Sequence, residues 1–131
     1  MTIKVASAPV SWGIYEFEGI EPRFKYQQVL DEIRATGYTG LELGPYGYLP
    51  TQPSRLRDEL DKRDLQLLSA FVPVALTDRS AHEAGVEAAL KVGRLLAALG
   101  AQYIVLADDN GKVEPLVKQA GRRSGSYLTA A

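Results

Sequence analysis

Glu42 is the residue with the clearest capacity for chemistry, because of where the sequence puts it. It stands in Gly37-Tyr38-Thr39-Gly40-Leu41-Glu42-Leu43-Gly44, a very short strand bracketed by glycines. Period-2 geometry sends Leu41 and Leu43 to one face and Glu42 to the other. A carboxylate on a short, covered strand must be paired or employed, since burying an unpaired charge is costly. It can hold a substrate hydroxyl or take part in proton transfer; the plainer alternative is an ion pair or a solvated rim position. The turn after it, Gly44-Pro45-Tyr46-Gly47-Tyr48, offers two aromatic rings to a pocket or to loop packing. Trp12, Phe71 and Asp108-Asp109 stand at other strand exits, where packing or turn chemistry is the competing explanation. His82 is the single histidine. It falls inside Ser80-Ala81-His82-Glu83, which reads as a capping box, so it is expected on the solvated first turn of a helix. Arg122 and Arg123 read as a solvated basic tail in preference to a phosphate site.

Composition narrows the classes. The chain has 131 residues, 46% hydrophobic and 24% charged, with a formal net charge of −1 from 15 basic and 16 acidic side chains. That balance argues against a nucleic-acid binder or a membrane-surface helix, both of which need a basic excess. The absence of cysteine excludes disulfides, thiolate metal sites and a cysteine nucleophile. No apolar run approaches the ~18 residues of a membrane span, and Met1-Thr2-Ile3-Lys4 leads straight into a strand-like run. A soluble cytoplasmic protein is the expectation.

The elements that must position these residues alternate. Ile3 to Ala8 predicts a strand ended by Pro9, followed by the bulky loop Val10 to Tyr15. Pro22 suits the first turn of a helix whose Tyr26, Val29, Leu30 and Ile33 form an inward stripe. Gly37 sits at its stop. After strand two, Leu41 to Leu43, a second helix begins at Thr51-Gln52-Pro53 with Leu56 and Leu60 as its apolar side. Leu65 to Val72 predicts a third strand closed by Pro73, apolar enough to be covered on both faces. The capping box opens a long helix with Val86, Ala89, Leu90, Gly93, Leu96 and Ala97 at helical spacing, stopped by Gly100. Tyr103 to Ala107 is strand four. Val113 to Gln119 suits a short helix, Gly121 to Gly125 a basic loop, and Thr129-Ala130-Ala131 a helix cap and first turn. Residues 1–131 are expected to form a single partial domain, cut short at the start of a fourth helix.

Strands alternating with helices of this length mean a parallel sheet. Periodicity alone leaves two architectures level: the first four βα units of a (β/α)8 TIM barrel, or most of a doubly wound sheet of the flavodoxin kind. The motifs Ser7-Ala8-Pro9-Val10-Ser11-Trp12-Gly13, Gly37 to Gly44, Gly47-Tyr48-Leu49-Pro50 and Ser69-Ala70-Phe71-Val72-Pro73 resemble the opening of the xylose-isomerase-like TIM-barrel superfamily. Within it, the likeness is to sugar phosphate isomerase/epimerase and inosose dehydratase proteins, and it covers roughly residues 3 to 110.

The resemblance implies the partial barrel, with a parallel sheet and outer helices. It also implies proton abstraction next to a carbonyl on a sugar or inositol-derived ketone, completed as isomerisation or epimerisation, or as dehydration. It makes Glu42 the candidate catalytic residue and Trp12, Glu42, Tyr46, Tyr48, Phe71 and Asp108 the candidate substrate contacts. The family's divalent metal (Mn, Mg or Co) is held by Glu, Asp, His and Glu of the last four strands, so no metal ligand is assigned here and none is expected to bind this chain alone. The expected partner is a small sugar or cyclitol, with no nucleic acid and no membrane. An endonuclease branch of the superfamily is disfavoured by the single histidine and the net charge. A half barrel also leaves on the order of 300 Å² of inner sheet face open, from four strands of ~5 residues at ~4.8 Å spacing. At ~25 cal/mol per Å² that forfeits roughly 8 kcal/mol, so self-association through the open sheet, or an inactive half barrel, is a further expectation.

Overall fold

In a computed structural model the protein is described over residues 3–16 and 21–108. Nine elements follow one another. They are β1 (Ala6–Ser7), a 3-10 turn (Pro9–Trp12), α1 (Tyr26–Ala35), β2 (Gly40–Glu42), α2 (Pro53–Asp61), β3 (Gln66–Val74), a second 3-10 turn (Arg79–Ala81), α3 (His82–Ala98) and β4 (Tyr103–Asp108). All three strand pairings are parallel, and the sheet order is β1-β2-β3-β4. That order decides between the two architectures. A doubly wound sheet reverses direction and sets its second strand on the far side of the first, whereas here chain order and spatial order coincide, as in the first half of a (β/α)8 barrel. The tail expectations for Val113 to Gln119, Gly121 to Gly125 and Thr129 to Ala131 lie outside the described residues.

The core fills the space between one sheet face and the helices. Leu41 and Leu43 of β2 and its exit, with Ala70, Val72 and Val74 of β3, meet Val29, Leu30 and Ile33 of α1, Leu56 and Leu60 of α2, and Val92, Leu95 and Leu96 of α3. The α1 and α2 stripes are therefore those the spacing predicts. On α3 the buried set is Val92, Leu95 and Leu96, while Val86 and Leu90 are 59% and 53% exposed. The spacing of that helix admits two adjacent stripes, and the sheet covers only one. Arg63, just past α2, ties two helices together through Asp31 at 2.6 Å and Glu59 at 2.8 Å.

Several boundaries differ from the sequence expectation, each for a physical reason. β1 is two residues long, not six, because β2 offers it so short an edge. Pro22 lies outside α1, which begins at Tyr26. Pro73 does not close β3 but lies inside it. Ser69 turns its backbone groups toward β2, accepting from the Leu43 amide at 2.9 Å. Pro73 has the same parity, and β2 has ended by then, so its missing N–H deprives no ladder. The capping box does not form. Asp78 does the capping instead, its Oδ1 accepting from the Ser80 amide at 2.9 Å and from the Ser80 hydroxyl at 2.6 Å. A 3-10 turn intervenes, so α3 starts at His82 rather than after Ser80.

Gly44 is required as glycine twice over. Its φ is +69°, and a Cβ there would stand 2.8 Å from Pro9 Cγ. Gly44→Ala is expected to cost at least about 1–2 kcal/mol from the left-handed backbone alone, before the contact with Pro9 is counted. A fall in the urea midpoint at constant slope measures it.

Candidate functional site

The inner face of the sheet, opposite the helices, holds the candidate chemistry. Pairing runs Gly40↔Gln66 and Leu41↔Leu67, then Glu42↔Ser69, so β3 carries one extra residue, Leu68, against β2. In a parallel pair, partnered residues share a face. Without the bulge Glu42 would be matched with Leu68; with it, Ser69 comes round to Glu42's side. The Ser69 hydroxyl donates to Glu42 Oε1 at 2.8 Å, and Ser69 is 8% exposed, the buried polar residue among the described core. Glu42 itself is half-buried. The two border an open concavity of about 480 Å³ also lined by Ser7, Ser11 and Tyr38. The other Glu42 oxygen, Oε2, accepts no hydrogen bond among the described residues.

Glu16, in the loop after β1, is the partner that sequence reasoning overlooked. Burial pushes its carboxyl above the usual carboxylate range; a backbone hydrogen bond opposes this, and the nearby charge of Glu42 adds to the upward push. An acid directly after the aromatic loop, on the strand exit beside strand two, is the signal the sequence offers. Ser69 offers a similar signal, since a single hydroxyl in an apolar strand asks for a hydrogen-bond partner. The pH consequence has a definite sign. A carboxyl whose folded pKa is raised contributes stability below its unfolded value that is lost as pH rises through the folded value. Subtracting the stability profile of Glu16→Gln from that of the wild type is expected to give a difference that declines from acid toward neutral pH. A difference rising with pH would contradict the burial of Glu16.

The remaining candidates are divided by the fold. Phe71 lies two residues beyond Ser69 on the same inner face, paired with Val105. Trp12 is half-buried, packs against the core, and donates its indole N–H to Glu32 Oε2 at 2.6 Å. The Gln28 amide donates to the other Glu32 oxygen at 2.9 Å; Gln28 first, then Trp12, hold the Glu32 carboxyl below the usual range. Trp12 is thus pinned to α1 at the mouth of the β1 loop. Tyr46 turns outward, with the Lys91 ammonium 4.4 Å from its ring centroid. Tyr48 donates its hydroxyl to the Phe24 carbonyl at 3.0 Å, burial raising its pKa, and borders a separate cleft with Tyr26 and Arg55. Asp108 shares its face with Val74, its pairing partner, and accepts from the Leu76 amide at 3.1 Å. The structure therefore sets Glu42, Ser69 and Phe71 on one face of the sheet, with the Glu42 charge felt at Glu16, and sets Tyr46, Tyr48 and Asp108 apart. His82 is exposed, its Nε2 2.8 Å from the Leu76 carbonyl oxygen. Asp109, Arg122 and Arg123 lie outside the described residues.

Among the described residues no group of three or more His, Asp or Glu side chains could hold a metal ion. The donor set among the described residues does not fit a divalent metal. No helix among the described residues is long and apolar enough to cross a membrane.

Comparison with known proteins adds names to this geometry. No protein-family profile matches the chain. It is 32% identical over 121 residues to an inosose dehydratase of Lacticaseibacillus casei, a match covering 92% of this chain and 39% of that protein. It is 38% identical over 111 residues to the rhizopine catabolism protein MocC of Rhizobium meliloti, covering 82% of this chain and 32% of the relative. An inosose dehydratase of Geobacillus kaustophilus is 26% identical over 110 residues, 84% of this chain and 35% of the relative. The chain is thus similar, over most of its length, to inosose dehydratases and a rhizopine catabolism protein, and spans 32–39% of their length.

Proposed function

We propose that this chain carries the acid–base half of a site that removes the proton next to the carbonyl of an inosose and eliminates water from it. The observation that supports this most is Glu42 seated on Ser69 at an inner-face concavity, beside a second carboxyl, Glu16, of raised pKa. Two carboxyls in unlike environments are suited to opposite proton duties. Glu42 Oε2 takes the proton from the carbon next to the carbonyl, and the released electron pair forms the enolate. The enolate collapses to expel the hydroxyl from the adjacent carbon, forming the carbon–carbon double bond. Glu16, kept protonated to higher pH than an ordinary glutamate, gives its proton to the departing oxygen, which leaves as water. Ser69 keeps Glu42 directed at the concavity, and Phe71 offers an apolar surface beyond it. An isomerase or epimerase would share the first step and return the proton to carbon. The names of the relatives favour elimination.

The test is incubation of an inosose with the protein in deuterium oxide, followed by NMR and mass spectrometry. A product lighter by one water, with deuterium gained where its enol becomes a ketone or at the carbon next to the carbonyl of recovered inosose, supports the reading. Deuterium with a rearranged product of unchanged composition moves it to isomerisation, and the absence of both water loss and deuterium overturns it.

A second reading rests on a different observation. The first four residues of β4 are exposed, with Tyr103 at 68%, Ile104 at 40%, Val105 at 44% and Leu106 at 50%. Among the described residues neither β1 nor β4 has a strand on its outer side. A twofold axis along the strands would set β4 of one copy parallel to β1 of another, making eight strands from two chains. On this reading the 131-residue chain is inert alone and self-associates. A well-behaved, cooperatively folding monomer in size-exclusion chromatography at micromolar concentration would count against it.

A further inference from the structure

We infer that Ser69 is the positioning residue of Glu42, and that the single-residue bulge at Leu68 is what makes it one. The inference rests on the proposed role of Glu42 but concerns a different residue and has its own readout. Three facts of geometry carry it. First, the register slips once in the sheet, and it slips between Leu41 and Glu42. Bulges in parallel pairs are rare and are found where a side chain must be re-aimed. Second, the slip is what puts a hydroxyl, 8% exposed, within 2.8 Å of the carboxylate. An unslipped register would give Glu42 the leucine at 68 as its neighbour, with no donor to offer. Third, Ser69 is itself held at both ends. Its carbonyl accepts from the Leu43 amide at 2.9 Å, and it pairs with Tyr103 on the far side. The donor therefore stands on a strand locked from two directions, with little freedom of its own.

The consequence is an asymmetric carboxylate. Oε1 is occupied by Ser69, while Oε2 has no hydrogen-bond partner among the described residues. A general base that rotates freely spends much of its time misdirected, and loss of near-attack geometry by an ångström costs on the order of 10²-fold. Ser69 removes that freedom without neutralising the base, since a hydroxyl donates a hydrogen bond and carries no charge.

The test uses Ser69→Ala and Ser69→Cys in the full chain, with two readouts. The first is the rate at which a water-soluble carbodiimide couples an amine to each carboxyl, followed by peptide mapping. Expected is a several-fold faster labelling of Glu42 in Ser69→Ala, with an intermediate rise in Ser69→Cys, whose thiol is a weak donor of similar shape. Glu59, held by Arg63 at 2.8 Å, serves as the internal control and is expected to keep its rate. The second readout is deuterium exchange into an inosose, expected to fall about tenfold in Ser69→Ala through kcat with KM little changed. Folded variants in which Glu42 labelling stays at the wild-type rate overturn the inference. Faster labelling of Glu59 together with Glu42 also overturns it, because Ser69 would then be supporting the fold at large. Faster labelling of Glu42 alone, with no effect of Glu42→Gln on exchange, would uphold the positioning role and sink the proposed function.

Discussion

Leu41→Ala is expected to cost about 2–5 kcal/mol of folding stability, the range for truncating a fully buried leucine that leaves a cavity. Leu41 is 0% exposed and belongs to the cluster where the stripes of α1 and α2 meet the sheet. Val29, Leu30, Ile33 and Leu56 in that cluster are also 0% exposed, so few neighbours can relax outward to fill the space. β2 is three residues long, and Leu41 is its middle residue, so no second β2 leucine can take over the contact. Set against a domain's usual ~5–15 kcal/mol, the loss runs from about an eighth of the total to all of it. Urea denaturation is the measurement: the midpoint falls and the slope stays the same. A cost below about 1 kcal/mol would mean that the α1–β2–α2 junction is loosely packed, and the core described above would need redrawing.

Glu42→Gln is expected to slow exchange of the proton next to the carbonyl by about 10²–10⁴-fold, the usual contribution of a positioned general base. The substitution keeps the volume, and the amide oxygen can still accept from Ser69, so stability is expected to change by less than about 1 kcal/mol. Function and fold are thereby separated at a single atom. Glu42→Gln also removes the negative charge that helps to raise Glu16. The stability difference between wild type and Glu16→Gln should therefore flatten when both proteins carry Glu42→Gln. An undiminished pH dependence in that background would place the two carboxyls too far apart to act on one substrate.

Legibility from sequence depended on how local each feature is. Leu41, Glu42 and Leu43 alternate because a strand has period two, and two buried leucines flanking a half-buried glutamate bear that out. Gly37, at φ +91°, terminates α1 as its position implied. The inward stripe of α1 followed from helical period. What escaped depended on pairing. Pro73 reads as a stop unless one knows that β2 ends before it. Val86 and Leu90 sit at helical spacing with Ala89, but only the sheet decides which side of α3 is covered. Ser80 and Glu83 spell a capping box, yet Asp78, two residues upstream of Ser80, captures the Ser80 amide first. The site shows the same division. Glu42 was legible from its own strand. Ser69, 27 residues from Glu42, became visible only through a register slip between two strands, and Glu16 only through its burial and the Glu42 charge. Tyr46 and Tyr48 belong to a loop whose rings turn to Lys91 and Phe24, directions that composition does not encode.

The agreement of chain order with sheet order bears on how the protein is made. Each described strand joins the one just before it, so each of the described pairings can form as soon as its second strand is synthesised. At about 5–20 residues per second, β1, α1 and β2 can be docked while β3 is still emerging. Loop closures stay short, which keeps the entropic barrier of each addition low. The growing edge always bears the newest strand, and at the end of the described residues that strand is Tyr103 to Asp108. The sheet is therefore assembled like a course of bricks laid from one side, and the apolar edge it presents at any moment is the surface to which a ribosome-bound chaperone would be drawn.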